Sequence, residues 1–203
     1  YVKDIDKAID LSNKIKSKGY EATINLMAVS HARERELDEA LMQVEKESNV
    51  DALYLVDSFG ALYSEQIAHL AKKYKSIMPS KEIGIHAHNN QQLAFANTIE
   101  AIIQNVNYLD GTIFGIGRAA GNCPLELLLG FLKNPKYDLR PILKVLESHF
   151  VKLKDDIEWG YTIPYMVTGI LDLHPRAGMK LRKSDNKDDY INFYDGLVRD
   201  ANV

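Results

Sequence analysis

Residues 83–90 read Ile-Gly-Ile-His-Ala-His-Asn-Asn, a short apolar run that passes directly into two histidines and two asparagines. In a β-strand, side chains two positions apart point to the same side, so His86 and His88 are predicted to project together from a strand end. Two imidazoles placed in this way can share one metal ion, although a plain polar strand end has the same pattern. Asn89 and Asn90, at the junction with a following helix, favour the metal site. A mixed site of nitrogen and oxygen donors suits Mn²⁺, Mg²⁺, Fe²⁺ or Zn²⁺.

Apolar runs of this kind alternate with helical patterns along the first 135 residues. Strands are predicted at residues 22–29, 52–56, 83–85 and 108–113, and helices at 4–18, 35–47, 64–74, 91–105 and 124–132. Continuously apolar strands between helices indicate a parallel sheet covered on both faces, which is either a TIM barrel or a doubly wound sheet. Polar residues and glycines follow the strands, where both architectures place their chemistry.

The number of predicted strands is too small for a complete barrel. A complete (β/α)8 barrel needs about 250 residues, whereas four βα units fit within residues 1–135. We therefore expect an α/β fold in which residues 1–135 form the C-terminal part of a TIM (β/α)8 barrel. Residues 136–203 are expected to form a helical C-terminal extension with a polar tail, loosely packed over 180–195. The first barrel units would then lie outside this chain, which would be N-terminally truncated.

Composition and charge narrow the function classes. The chain has 203 residues, of which 46% are hydrophobic and 26% charged, and its formal charge is -3. Without an excess of Lys and Arg, nucleic acid and anionic membranes are excluded as expected partners. No apolar run reaches the roughly 20 residues that span a bilayer, so a cytoplasmic location is expected. Cys123 is the single cysteine, and a small buried residue is the preferred interpretation over a nucleophile.

Several other polar residues follow the predicted strands. Asn122 is either the cap of a helix that begins near Pro124 or a carbonyl ligand. Ser58 is a candidate hydrogen-bond donor to a carboxylate, and His31 either serves the same rim or starts a loop. Glycines 111, 115, 117 and 121 suit a phosphate cradle or tight turns equally well. No role is expected for the histidines at positions 69, 149 and 174.

Taken together, these motifs resemble the DRE-TIM metallolyases, the HMGL-like superfamily. Residues 86–89 (His-Ala-His-Asn) are similar to its metal-binding strand, and residues 115–126, from Gly-Ile-Gly-Arg to Pro-Leu-Glu, are similar to the signature that follows. Residues 57–62 resemble the strand end two units before that signature. Residues 26–31 and 159–165 resemble segments of the 4-hydroxy-2-oxovalerate aldolases, the group within the superfamily that the sequence resembles most.

This resemblance implies a metal-dependent lyase that cleaves a 4-hydroxy-2-oxo acid to pyruvate and an aldehyde through a metal-stabilised enolate. His86, His88 and Asn122 would hold the metal, Mn²⁺ or Mg²⁺ ahead of Zn²⁺. Tyr161, with Tyr165 as second choice, would donate or relay a proton.

The resemblance assigns substrate binding to Ser58 and His31. It also implies a small-molecule 2-oxo acid as substrate and an aldehyde dehydrogenase as a partner that receives the aldehyde. A homo-oligomer is expected.

One part of the superfamily pattern has no counterpart in residues 1–20. Members carry an aspartate ligand next to an arginine on the first barrel strand, and the pyruvate aldolases add a catalytic histidine nearby. We therefore expect this aspartate ligand to lie outside this chain, which alone would be catalytically incomplete. The alternatives are an acyl-CoA-dependent enzyme similar to isopropylmalate synthase or HMG-CoA lyase, and a catalytically incomplete binding or assembly module.

Overall fold

The computed structural model describes residues 1–201, and in its first half strands alternate with helices. The strands of this region are β1 (Thr23–Leu26), β2 (Ala52–Asp57), β3 (Glu82–Ala87) and β4 (Tyr108–Leu109). The α-helices are α1 (Ile5–Lys16), α2 (Glu34–Glu47), α3 (Ser64–Ile77), α4 (Ala94–Ile103), α5 (Leu125–Leu132), α6 (Leu139–Val145), α7 (Val151–Asp156), α8 (Ile163–Ile170), α9 (Arg176–Arg182) and α10 (Tyr190–Ala201). Short 3₁₀ helices cover Val2–Asp4, Val29–His31 and Ile113–Gly115, and a π-helical stretch, Leu146–Phe150, joins α6 to α7.

The four strands form one parallel sheet in the order β1-β2-β3-β4. Each new strand lies beside the preceding one, as in a (β/α) barrel, whereas a doubly wound sheet reverses its strand order. All six residues of β2 are buried, as expected for a parallel strand covered on both faces. The sheet therefore confirms the α/β fold and resolves the choice of architecture in favour of a partial barrel.

The helices that flank the sheet bury one apolar stripe each. In α2, the buried residues Leu37, Ala40, Leu41 and Val44 recur every three or four positions, which is the period that places side chains on one helix face. Of the polar residues between them, Glu39 is exposed, and Asp38 and Gln43 are partly buried. Among the described residues, no helix combines the length and the apolar composition needed to cross a membrane.

Two strands are shorter than the sequence predicts, for local reasons. β1 ends at Leu26 because Ala28 adopts a left-handed conformation with φ 54°, which breaks an extended strand. β4 ends at Leu109, and the chain then turns into the 3₁₀ helix Ile113–Gly115, in which Phe114 also has a positive φ.

The C-terminal segment, for which the sequence predicts a polar tail, contains a helix, and its loose packing stays a prediction. Helix α10 covers Tyr190–Ala201, and its residues Phe193 and Leu197 line a groove together with Leu181 of α9. Phe193 and Leu197 are four positions apart and therefore lie on one face of α10. Polar residues outnumber apolar ones in this segment, so the sequence predicted a polar tail. Residues 202 and 203 of the predicted extension lie outside the described residues, and the boundary at 135/136 stays a prediction.

By contacts between residues, the chain divides into two compact units. The first comprises Tyr1–Ser58, Leu62–Ala87 and Ala96–Asp110, and therefore contains the whole sheet. The second comprises Phe59–Ala61, His88–Phe95 and the chain from Gly111 onward. Its buried residues include Ala119, Ala120 and Tyr165, against which Met179 packs.

Candidate functional site

In the first unit, His86 is held by a carboxylate from the neighbouring strand end. His86 lies one residue before the end of β3, and Asp110 directly follows β4. The His86 Nδ1 and Asp110 Oδ2 atoms are 2.9 Å apart, and the Asp110 N–H donates to the Ile85 carbonyl. In a neutral imidazole, this contact places the hydrogen on Nδ1 and the lone pair on Nε2. Carboxylate partners of this kind orient the histidines that bind metals in proteins.

The carboxylate of Asp110 has a second partner in the same unit. The Tyr54 hydroxyl forms a hydrogen bond with it, and the pKa of Tyr54 is raised to about 12, chiefly by burial and next by the charge of Asp110. The sequence analysis missed both residues. Asp110 gave no strand-end signal, because the strand predicted at residues 108–113 includes it, whereas the observed β4 ends at Leu109.

Ser58 and His31, the predicted substrate-binding residues, also belong to the first unit. The Ser58 side chain is buried, and its oxygen accepts a hydrogen bond of 2.8 Å from the Ala28 N–H. This contact holds the left-handed turn after β1 beside the end of β2. His31 is exposed at the end of the 3₁₀ helix Val29–His31. Substrate binding by both residues stays a prediction.

In the second unit, His88 and Asn122 are brought together as partners in an antiparallel β-bridge. The Asn89 N–H donates to the Gly121 carbonyl over 2.9 Å, and His88 Nδ1 is 3.3 Å from the same oxygen. The Asn122 amide donates to the Ile116 carbonyl over 3.1 Å, while its Oδ1 atom is buried without a hydrogen-bond partner.

The structure also decides what Asn122 does not do. Helix α5 has Pro124 at its N-cap and no side-chain capping bond, so the capping interpretation of Asn122 is wrong. An unsatisfied buried amide oxygen costs free energy unless a ligand satisfies it. Two nearby glycines make room for this arrangement. A Cβ atom on Gly117 would lie 2.5 Å from Asn122 Nδ2, and one on Gly121, where φ is +86°, would lie 1.9 Å from the Gly115 carbonyl oxygen.

An arginine lies between two histidines of the second unit. Its terminal nitrogens are 3.2 Å from His174 Nε2 and 3.4 Å from His88 Nε2, which identifies Arg118 as the link between them. The His174 ring also packs against Phe59, with ring centroids 5.8 Å apart. Burial and the positive charge of Arg118 lower the pKa of His174. The sequence analysis missed the contacts of His174 with Arg118 and Phe59, because these residues are far from it in sequence. That His174 has no functional role stays a prediction.

The two predicted catalytic tyrosines have different surroundings. Tyr161 is 54% exposed, whereas Tyr165 is buried and donates its hydroxyl hydrogen to Glu158 over 3.2 Å. Burial and, next, the charge of Glu158 raise the pKa of Tyr165 to about 12. Arg182 in turn binds Glu158 through two nitrogens, at 2.7 and 3.2 Å from the same carboxylate oxygen, and lowers the pKa of that carboxyl. The catalytic role of either tyrosine stays a prediction.

The available donors suit a divalent cation in part. A histidine with a carboxylate partner, a histidine beside a peptide carbonyl, and a buried amide oxygen without a donor are all found at metal sites. Among the described residues, no group of three or more His, Cys, Asp or Glu side chains is placed to hold a metal ion. His88 and Asn122 of the second unit therefore offer one imidazole and one amide oxygen, and His86 of the first unit offers one imidazole.

Comparison with known proteins identifies the family of this chain. The family model described as HMGL-like matches residues 2–148. The 4-hydroxy-2-oxovalerate aldolase of Thermus thermophilus is 34% identical over 162 residues, which are 74% of this chain and 46% of that protein. The oxaloacetate decarboxylase of Mycobacterium tuberculosis is 35% identical over 123 residues, or 59% of this chain and 35% of that protein. The chain thus spans less than half the length of these relatives.

A solved structure agrees with the fold. The N-terminal domain of a candidate aldolase from Bacteroides vulgatus superposes with a TM-score of 0.79 at 30% sequence identity. The match covers 91% of this chain and 62% of that domain.

Proposed function

Because the chain belongs to the HMGL-like family, we propose that it supplies part of the active site of a divalent-metal-dependent aldolase. The proposed substrate is a 4-hydroxy-2-oxo acid, which is cleaved between C3 and C4 into pyruvate and an aldehyde. A proton leaves the C4 hydroxyl and a proton is added at C3, so atoms and charge balance. The names of relatives such as the Thermus thermophilus aldolase support this substrate class.

The observation that carries the proposal is the Asn122 side chain. Its buried Oδ1 atom has no hydrogen-bond partner, and its β-bridge partner is His88, which stands two residues after His86. A protein retains a buried unsatisfied oxygen at a cost of about 1–3 kcal/mol, and a cation at this position removes that cost. Mn²⁺ or Mg²⁺ is the proposed ion because the family resemblance implies it and because an amide oxygen suits both ions, although imidazole alone would favour Zn²⁺ or Fe²⁺.

Different side chains of this chain are proposed to bind the cation and the substrate. His86, His88 and Asn122 would hold the cation, which when bound supplies Lewis acidity that favours negative charge on the 2-oxo acid. Ser58 and His31 are assigned to the substrate carboxylate. For Ser58 this requires its hydroxyl hydrogen, since its oxygen already accepts from the main chain.

Proton delivery at C3 is assigned to Tyr161. Its ring is half exposed, whereas the hydroxyl hydrogen of Tyr165 is already donated to Glu158. Tyr165 would then support the site by packing and through Glu158. An aldehyde dehydrogenase partner and a homo-oligomer stay predictions.

Metal binding and pyruvate release test the proposal separately. Titration with Mn²⁺, followed by the electron paramagnetic resonance signal of the free ion, is expected to show binding that His86→Ala, His88→Ala and Asn122→Leu each weaken by about tenfold or more. The matched control is His149→Ala, since His149 is an exposed histidine of the π-helical stretch. Equal binding by all variants would contradict the metal site and support a binding or assembly module.

Pyruvate release is followed with lactate dehydrogenase in Mn²⁺ or in a chelator. A 4-hydroxy-2-oxo acid is the first substrate, and oxaloacetate is the second because loss of its C4 carboxylate breaks the corresponding bond. Metal-dependent release from the hydroxy acid supports the aldolase. Because this chain is expected to lack the aspartate ligand, the assay uses the chain together with the segment that supplies that ligand. Release from neither compound then contradicts the aldolase, and turnover that depends on an acyl-CoA would favour the alternative enzyme.

A further inference from the structure

Three neighbouring strands place Tyr54, His86 and Asp110 on one face of the sheet. In the register of the sheet, Tyr54 pairs with Gly84, and Gly84 pairs with Tyr108. His86 stands two residues after Gly84, and Asp110 two residues after Tyr108, so both point to the same face as Tyr54. The strand order β2-β3-β4 therefore builds this trio from residues that are 24 to 56 positions apart in sequence.

The tyrosine reaches across the middle strand because that strand has no side chain at position 84. A Cβ atom on Gly84 would lie 2.6 Å from the Cδ1 and Cε1 atoms of the Tyr54 ring. On β4, the ring of Tyr108 lies with its centroid 6.2 Å from that of Tyr54, tilted by 54°. The ring thus lies over Gly84 beside Tyr108, and its hydroxyl forms the hydrogen bond with Asp110.

A purely stabilising role explains this trio poorly. The side chain of Asp110 is 41% exposed and that of His86 is 24% exposed. Contacts between charged groups this open to solvent contribute little to stability, because water screens them. The geometry instead fixes one property of the imidazole. A carboxylate that accepts a hydrogen bond from Nδ1 leaves the electron pair of a neutral ring on Nε2.

We propose that Asp110 is a positioning residue that holds His86 as the Nδ1–H tautomer, and that Tyr54 in turn holds Asp110. The consequence for metal binding rests on the proposed function. Nε2 would be the nitrogen that coordinates the cation, and the carboxylate would make it a stronger donor. Neither Tyr54 nor Asp110 contacts the cation in this arrangement.

The tautomer is tested without any metal. Long-range ¹H–¹⁵N spectra of the ¹⁵N-labelled chain distinguish Nδ1–H from Nε2–H, and a His86→Gln variant identifies the His86 signals. The spectra are recorded at pH 8. The wild type is expected to show Nδ1–H. Asp110→Ala is expected to shift His86 toward Nε2–H, while the control Asp155→Asn, at an exposed acid of α7, leaves it unchanged.

A second measurement follows the Mn²⁺ affinity. Asp110→Asn is expected to lower the affinity by about 10–100-fold, as for other partners of metal-binding histidines. Tyr54→Phe keeps the ring over Gly84 but removes the hydroxyl, so a smaller loss is expected. Asp155→Asn is expected to bind as the wild type does.

The outcomes separate this inference from the proposed function. Nε2–H in the wild type, or Nδ1–H that persists in Asp110→Ala, overturns the positioning role. Mn²⁺ binding that His86→Ala abolishes but Asp110→Asn leaves intact also overturns it. Nδ1–H that depends on Asp110 in a chain that binds no Mn²⁺ supports the positioning role and contradicts the proposed metal site.

Discussion

A methyl group added at Gly84 tests the packing on which the Tyr54 contact depends. In Gly84→Ala, the new Cβ would lie 2.6 to 2.7 Å from three ring carbons of Tyr54, roughly 1 Å inside the usual carbon–carbon separation of about 3.5–4.0 Å. The ring is 9% exposed and belongs to a strand that is buried along its whole length. It has little room to withdraw, so either the ring or the strand must shift.

The expected cost follows from two opposing effects. Overpacking a well-packed site destabilises by about 1–3 kcal/mol, and replacing glycine with alanine in a strand returns about 0.5–1 kcal/mol. The net loss for Gly84→Ala is therefore about 1–2 kcal/mol. With an m-value near 2 kcal/mol/M in urea, the midpoint of unfolding should fall by about 0.5–1 M, as measured by far-UV circular dichroism.

Replacing a control glycine is expected to change the free energy of unfolding in the opposite direction. Gly130 lies within α5, and a Cβ atom there would meet nothing within 4 Å. Gly130→Ala should therefore raise the free energy of unfolding by about 0.5–1 kcal/mol.

A double-mutant cycle completes the test. In a Tyr54→Ala background, Gly84→Ala should no longer destabilise, which gives a coupling energy of about 1–3 kcal/mol. An equal cost in both backgrounds would refute the packing of the ring over Gly84.

Three further substitutions test other parts of the structure. Gly121→Ala should destabilise by about 3–5 kcal/mol, because φ there is +86° and the new Cβ would lie 1.9 Å from a carbonyl oxygen; an unchanged urea midpoint would contradict this. Ser58→Ala should cost about 1–3 kcal/mol, since it leaves a main-chain N–H without its acceptor, and a loss below 0.5 kcal/mol would contradict the contact as described. Glu158→Gln should make the free energy of unfolding depend less on pH. Arg182 lowers the pKa of Glu158 below its ordinary 4.5, so the stabilisation is fully present above pH 4.5 and is lost as the pH falls through the lowered pKa. A difference in unfolding free energy between wild type and variant that is the same at pH 7 and pH 3 would contradict that pairing.

The parts of the fold that could be predicted from sequence depend on local periodicity. The positions of β2 and β3 follow from short apolar runs, and the placement of His86 at a strand end follows from the two-residue period. The sequence left barrel and doubly wound sheets open, because strand order is a non-local property. The structure resolves that choice through the pairing of each strand with its successor.

The partners of the candidate site residues could not be predicted in the same way. The contact of His86 with Asp110 depends on the register between β3 and β4, and β4 is only two residues long. The contact of Tyr54 depends on the absence of a side chain across the strand at Gly84. His174 reaches Arg118 from 56 positions away. Such pairings are set by tertiary packing, which a single sequence does not reveal.

The two histidines of the motif differ in a way that their spacing conceals. His86 is oriented by a carboxylate, and His88 lies beside the main-chain carbonyl of Gly121. A carboxylate carries a full charge and can be removed by one side-chain substitution, whereas a peptide carbonyl is neutral and moves only with the backbone. Hydrogen bonds to charged groups are the stronger of the two kinds. The donor strength of His86 is therefore tunable through Asp110 alone, while that of His88 is tied to the glycine turn that positions Asn122.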